Sequence, residues 1–190
     1  MGKFIRISAS IPLLGLFFIA FLIQGSFSGC QEAPRPAEKA YLDTLKYRIA
    51  GDTKALNIDT EELAARKQEI REKWFSHIKD TFPDIRKKMN DDFRGMISAY
   101  DLFLNNHLLL IAATRLLESE ADEFREDTEN GRYSRQAFKE KYKDLNRRAI
   151  QNSEAVEAIA RPVYELEPMW IRLKMQFDKK EDNRQPQEIK

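Results

Sequence analysis

From residue 36 onward, apolar side chains recur every three or four positions, and no stretch alternates in the way a half-buried strand requires. This spacing predicts a helix over 36–50, with Tyr41, Leu45 and Ile49 four apart and Gly51 as its stop. A second helix is expected to start at "DTEE", with Asp59 as cap and Glu62 reaching back in a capping box. Leu63, Ile70, Trp74 and Ile78 share its face. Pro83 should end or interrupt it, because Phe82 before the proline is pushed out of helical geometry.

A long helix is then predicted over 84–129. One apolar stripe runs through Phe93, Ile97, Tyr100, Leu104, Ile111 and Ala121, and a second through Leu102, Leu109, Ala113 and Leu116. Around "LLLIAA" the pattern is apolar on nearly every side, as in the central helix of a bundle. Asn130-Gly131 reads as a turn, and Ser134 as the cap of a helix to about residue 151. A last helical section, 153–177, carries Pro162 and Pro168, where a break or kink is expected. Trp74 and Trp170 sit at apolar positions and read as core. The fold class is all-α: a helical bundle with one long central helix.

The first 36 residues follow a different pattern. Lys3 and Arg6 precede a thirteen-residue uncharged run, "IPLLGLFFIAFLI", and then small and polar "QGSFSG". A positive head, an apolar middle and a small-residue exit form a secretory signal. The apolar run is shorter than the roughly 18 residues that crossing a membrane requires. The chain's one cysteine, Cys30, follows immediately.

Phe27, Ser28, Gly29 and Cys30 resemble the lipobox of bacterial lipoprotein precursors, with Phe27 standing where an aliphatic residue is usual. The resemblance implies recognition of Phe27, Ser28 and Gly29 by the lipoprotein signal peptidase and cleavage after Gly29. It also implies a covalent lipid on Cys30, the only prosthetic group expected. Gln31 in place of Asp implies the outer membrane. Two or three acyl chains, at about 0.8 kcal/mol per buried CH₂, hold a protein stably. The alternatives are ordinary signal peptidase acting after Ser28, which would release a soluble chain with a free thiol, and a leader retained as an uncleaved anchor. The expected organisation is a signal peptide at 1–29, a Pro-containing tether at 30–36, a helical domain at 37–177 and a mobile polar tail at 178–190.

Composition narrows the partners. Lys and Arg total 32 and Asp and Glu 31, interleaved along the chain, so no basic stripe is available for phosphate and nucleic acid is not expected. The chain has no Walker loop, GxSxG, GxGxxG or HExxH, so no enzymatic activity is assigned. Its two histidines lack metal-site spacing, so no metal is expected either.

"NNH", residues 105–107, interrupts an apolar run. His107 lies seven residues after Tyr100, with Thr114 seven further on. Asn106, His107 and Thr114 are therefore expected to form a polar layer that fixes helix register, or else to line a ligand pocket. Acids cluster over 118–129 and bases over 132–143, at the helix ends their charges disfavour, so a cross-paired hairpin is expected, with a partner-binding tip as the alternative. The resulting expectation is a membrane-anchored envelope protein with a non-enzymatic scaffold or assembly-accessory role and a protein partner. A pilotin-like or chaperone-like client carrier and a small-molecule sensor are the alternatives.

Overall fold

The computed structural model describes residues 36–79 and 81–182, with side chains described through Lys179. The leader, the Phe27–Cys30 segment and the extreme C-terminus lie outside the described residues. Among the described residues four main helices make up the fold: α1 (Pro36–Ala55), α2 (Thr60–Glu69), α3 (Pro83–Glu129) and α4 (Arg135–Asp182). α2 runs on through a π turn, Ile70–Trp74, into a last helical turn, Phe75–His77. There is no strand among the described residues.

These helices form three rails. α1 and α2 lie end to end as one rail, and α3 and α4 are the other two. The direction of the first rail follows from its cross-links. Asp43, Lys46 and Lys67 pair with Arg125, Asp122 and Asp101 of α3, in descending order. Asp52, Arg66 and Glu69 meet Asn152, Glu167 and Lys174 of α4, in ascending order. The first rail is thus antiparallel to α3 and parallel to α4.

The core is a heptad seam. In α3 it runs through Phe93, Met96, Tyr100, Phe103, Thr114, Leu117, Ala121, Phe124 and Thr128, all buried. In α4 it runs through Leu145, Ala149, Asn152, Val156, Ile159, Val163, Trp170, Leu173 and Phe177. Steps of three and four, completed by half-buried His107 and Leu110 in α3 and Leu166 in α4, keep one stripe facing its neighbours, as in coiled-coil packing. The α2 end is the aromatic end: Trp74 stacks on Trp170 at 4.6 Å and on Phe177 at 5.0 Å. The π turn adds a residue to the helix just where Ile70 and Trp74 enter this core.

Several boundaries differ from the sequence expectation. Gly51 does not stop α1; the helix continues through it to Ala55 because Asp52 and Leu56 are buried beyond it. Phe82 is non-helical as expected, at φ −54° and ψ 143°, but the helical turn before it has already ended at His77, and Pro83 opens α3 where its missing N–H costs nothing. Asp59 does cap α2, its Oδ1 accepting from the backbone N–H of Glu61 and Glu62 at 2.9 and 3.0 Å. Glu62 turns instead to Arg66, so the reciprocal half of the capping box is absent.

α4 is one helix, with no break at 152, through both prolines and beyond 177 to Asp182. Pro162 and Pro168 release the carbonyls of Ala158 and Tyr164, and both residues lie on the exposed side of the helix, where a freed carbonyl costs least. The α3–α4 turn ends in a Schellman motif, with Gly131 at φ 66° and Arg132 N–H donating to the Asp127 carbonyl. Ser134 Oγ then accepts from Ala137 N–H at the start of α4.

The largest correction concerns α3. Among the described residues it is not enclosed on all sides, because three rails leave its outer face free. Leu102, Leu108, Leu109 and Leu116 are 45%, 78%, 70% and 58% exposed. Of the second apolar stripe only Ala113 is partly covered.

Candidate functional site

Where α1 ends and α2 has not yet begun, the first rail is interrupted at Leu56–Asp59. Opposite that interruption each rail contributes a polar residue to the seam: Asp52 from α1, Thr114 from α3 and Asn152 from α4, all buried. The Asn152 amide spans the layer, its Nδ2 donating to Asp52 Oδ2 at 2.8 Å and to Thr114 Oγ1 at 3.0 Å. Ser153 Oγ donates to the same Asp52 oxygen at 2.9 Å. A carboxylate taken out of water needs donors of this kind.

His107 sits one heptad before Thr114, against the break itself. Its Nε2 lies 2.9 Å from the Leu56 carbonyl, a bond made by the protonated ring nitrogen, and its ring packs on Phe103 at 4.9 Å. Beside it opens a cleft of about 500 Å³, lined by Thr53, Lys54, Asn57, His107, Ile111 and Arg115 among others. Its size is that of a small-ligand site, and Lys54 and Arg115 give it positive charge.

His107 and Thr114 therefore face this junction. Asn106 does not: its Nδ2 donates to the Leu102 carbonyl one turn back along the same helix, at 2.8 Å. The sequence reasoning missed Asp52, Asn152 and Ser153. A signal for the first two was present, since each falls on an apolar seven-residue repeat, Leu45–Asp52 and Leu145–Asn152.

A second polar cluster lies within the aromatic end. Arg66 pairs with Glu62 and Glu167 and stands 5.1 Å from the Trp170 ring centre. Burial pulls its guanidinium down, but the two carboxylates outweigh that and hold it above the usual arginine value. Burial pushes the neighbouring Tyr100 hydroxyl up, opposed by Arg66.

The hairpin charges pair across the rails, though not as the sequence suggested. Glu120 meets Arg148 in a two-bonded fork at 2.6 and 2.7 Å, and Asp122 meets Lys46, while Asp127 pairs locally with Arg132. The Arg148 guanidinium holds the Glu120 carboxyl below its usual range. Of the expected bases, Arg132 alone has an acid partner from the 118–129 cluster among the described residues.

Among the described residues no group of three or more His, Cys, Asp or Glu side chains is placed to hold a metal ion. No protein-family model matches the chain, and no curated protein and no solved structure matches it.

Proposed function

We propose that this chain is a lipid-anchored protein of a bacterial cell envelope, in the outer membrane, with a non-enzymatic scaffold or assembly-accessory role. The observation that carries the interaction role is the uncovered leucine face of α3. Four large apolar side chains on one side of one helix, at Leu102, Leu108, Leu109 and Leu116, are what a docking surface presents. The anchor rests on the apolar leader and on Phe27, Ser28, Gly29 and Cys30.

The test has two arms. Membrane fractionation and intact mass are compared for the full precursor and Cys30→Ala. The anchor predicts a wild-type chain starting at Cys30, carrying acyl mass and lost from membranes in the variant; an unmodified chain starting at Gly29 overturns it. Cross-linking in intact cells is compared for wild type and Leu109→Glu. The interaction role predicts adducts that disappear in the variant, and wild type without adducts overturns it.

The cleft at the break supports a second reading, a small-molecule sensor. Lys54, His107 and Arg115 around about 500 Å³ fit a small anionic solute. That reading predicts ligand-dependent melting, abolished by Arg115→Ala in a chain that still folds.

A further inference from the structure

The uncovered face of α3 has a repeat of its own. Leu102, Leu109 and Leu116 are seven apart, and Ser98, Asn105, Ala112 and Ser119 fall between them at the alternate seam positions. This second seam lies on the side of the helix away from the buried heptads, and every residue of it is at least partly open to solvent. Large residues at one seam position and small ones at the other suit close antiparallel packing, each leucine seated against a small side chain.

The flank beside this seam carries Lys87, Arg94, Asp101, Leu108, Arg115, Asp122 and Glu129, each seven from the next. Read in one direction the signs run plus, plus, minus, apolar, plus, minus, minus. Read backwards, every sign is reversed about Leu108. A second copy of the same helix laid antiparallel therefore sets Asp101 opposite Arg115, Arg94 opposite Asp122 and Lys87 opposite Glu129. Leu108 then meets its own equivalent at the two-fold axis. On the seam itself the nearest residues in this packing are Leu102 and Ala112, Leu109 and Asn105, and Leu116 and Ser98, each pair two residues short of the flank's register.

We infer that the partner of this face is a second copy of the chain, joined as an antiparallel α3–α3 dimer centred on Leu108. The inference names the partner within the interaction role proposed above and does not depend on the lipid anchor. Lys87, Arg94 and Arg115 have no ion pair within the chain among the described residues. Asp101 pairs with Lys67 and Arg71, and Asp122 with Lys46, but both remain partly open and a carboxylate accepts from several donors. On the opposite flank Asp92 approaches Glu120, whose charge Arg148 already neutralises. By length and composition alone α3 could cross a membrane. Its ion pairs to all the other rails are those of a bundle helix, and the sign pattern on its flank has no purpose against lipid.

Single cysteines placed in the full chain, with Cys30→Ser, and oxidised in intact producing cells before any detergent, read both contact and direction. Leu108→Cys should link to itself. Leu102→Cys should not, but should link to Ala112→Cys when the two chains are produced together. Arg94→Glu should weaken the dimer about tenfold, and adding Asp122→Arg should restore it, which a folding defect would not do. Self-linking at Leu102, Leu109 and Leu116 alike would mean a parallel pair and overturn the proposal. A link to residues 11–23 or to a different protein overturns it while leaving an interaction surface in place. No adduct of any kind removes both.

Discussion

Asn152 is the residue on which the polar layer turns. Its single amide nitrogen bonds both Asp52 and Thr114, so within the layer it is the side chain that ties α4 to α1 and α3 together. Asn152→Ala leaves the buried Asp52 carboxylate with Ser153 as its remaining side-chain donor. The expected cost is about 2–4 kcal/mol, measured as the fall in unfolding free energy by urea titration. Asn152→Asp should be at least as harmful, since it sets two carboxylates together. His107 was legible as a polar residue in an apolar run because its neighbours were unambiguous. Asn106, equally polar and adjacent, turned out to bond its own helix, a distinction that depends on the direction of the side chain and not on its type.

At the level of elements, Gly51 shows how packing overrules local propensity. A glycine at the end of an apolar-periodic run reads as a stop, yet α1 passes through it, held by Asp52 and Leu56 further on. A Cβ built on Gly51 meets no other atom within 4 Å. Gly51→Ala should therefore stabilise the protein by about 0.5–1 kcal/mol, read as a rise in the urea midpoint with unchanged slope. Were Gly51 the end of the helix, alanine there would be neutral or harmful. The two prolines of α4 carry the same lesson: the carbonyls they free belong to residues on the exposed side, so the helix need not break. By contrast Asp59, Pro83, Gly131 and Ser134 do locally what their residue types suggest, because caps and turns are decided by a few neighbouring backbone groups.

Across the whole molecule the polar layer divides the core in two. The larger cluster gathers around Trp74, Tyr100, Phe103 and Trp170, the smaller around Leu45, Phe124, Phe138 and Leu145. Because buried apolar contact sets local opening, the smaller end should open first. Native-state hydrogen exchange should show slower amides at 96–103 and 156–170 than at 117–124 and 138–145. Equal protection at both ends would mean that the layer transmits cooperativity instead of dividing it.

The sequence by itself determined that the described domain is all-α, where most helices begin, and which residues cap them. Those features depend on period and on local backbone chemistry, both written in the order of residues. It also contained the lone cysteine behind an apolar leader, from which the proposed anchor follows. Only the tertiary structure decided that α1 and α2 share one rail, so that three rails, not four, surround the core. Among the described residues that arrangement leaves one side of α3 bare, although its leucines are as apolar as those it buries. It also brings Asp52, Thr114 and Asn152 together from three helices far apart in the chain. Which apolar stripe is covered, and which polar residues meet, depends on how many neighbours a helix has, and periodicity along one helix does not count them.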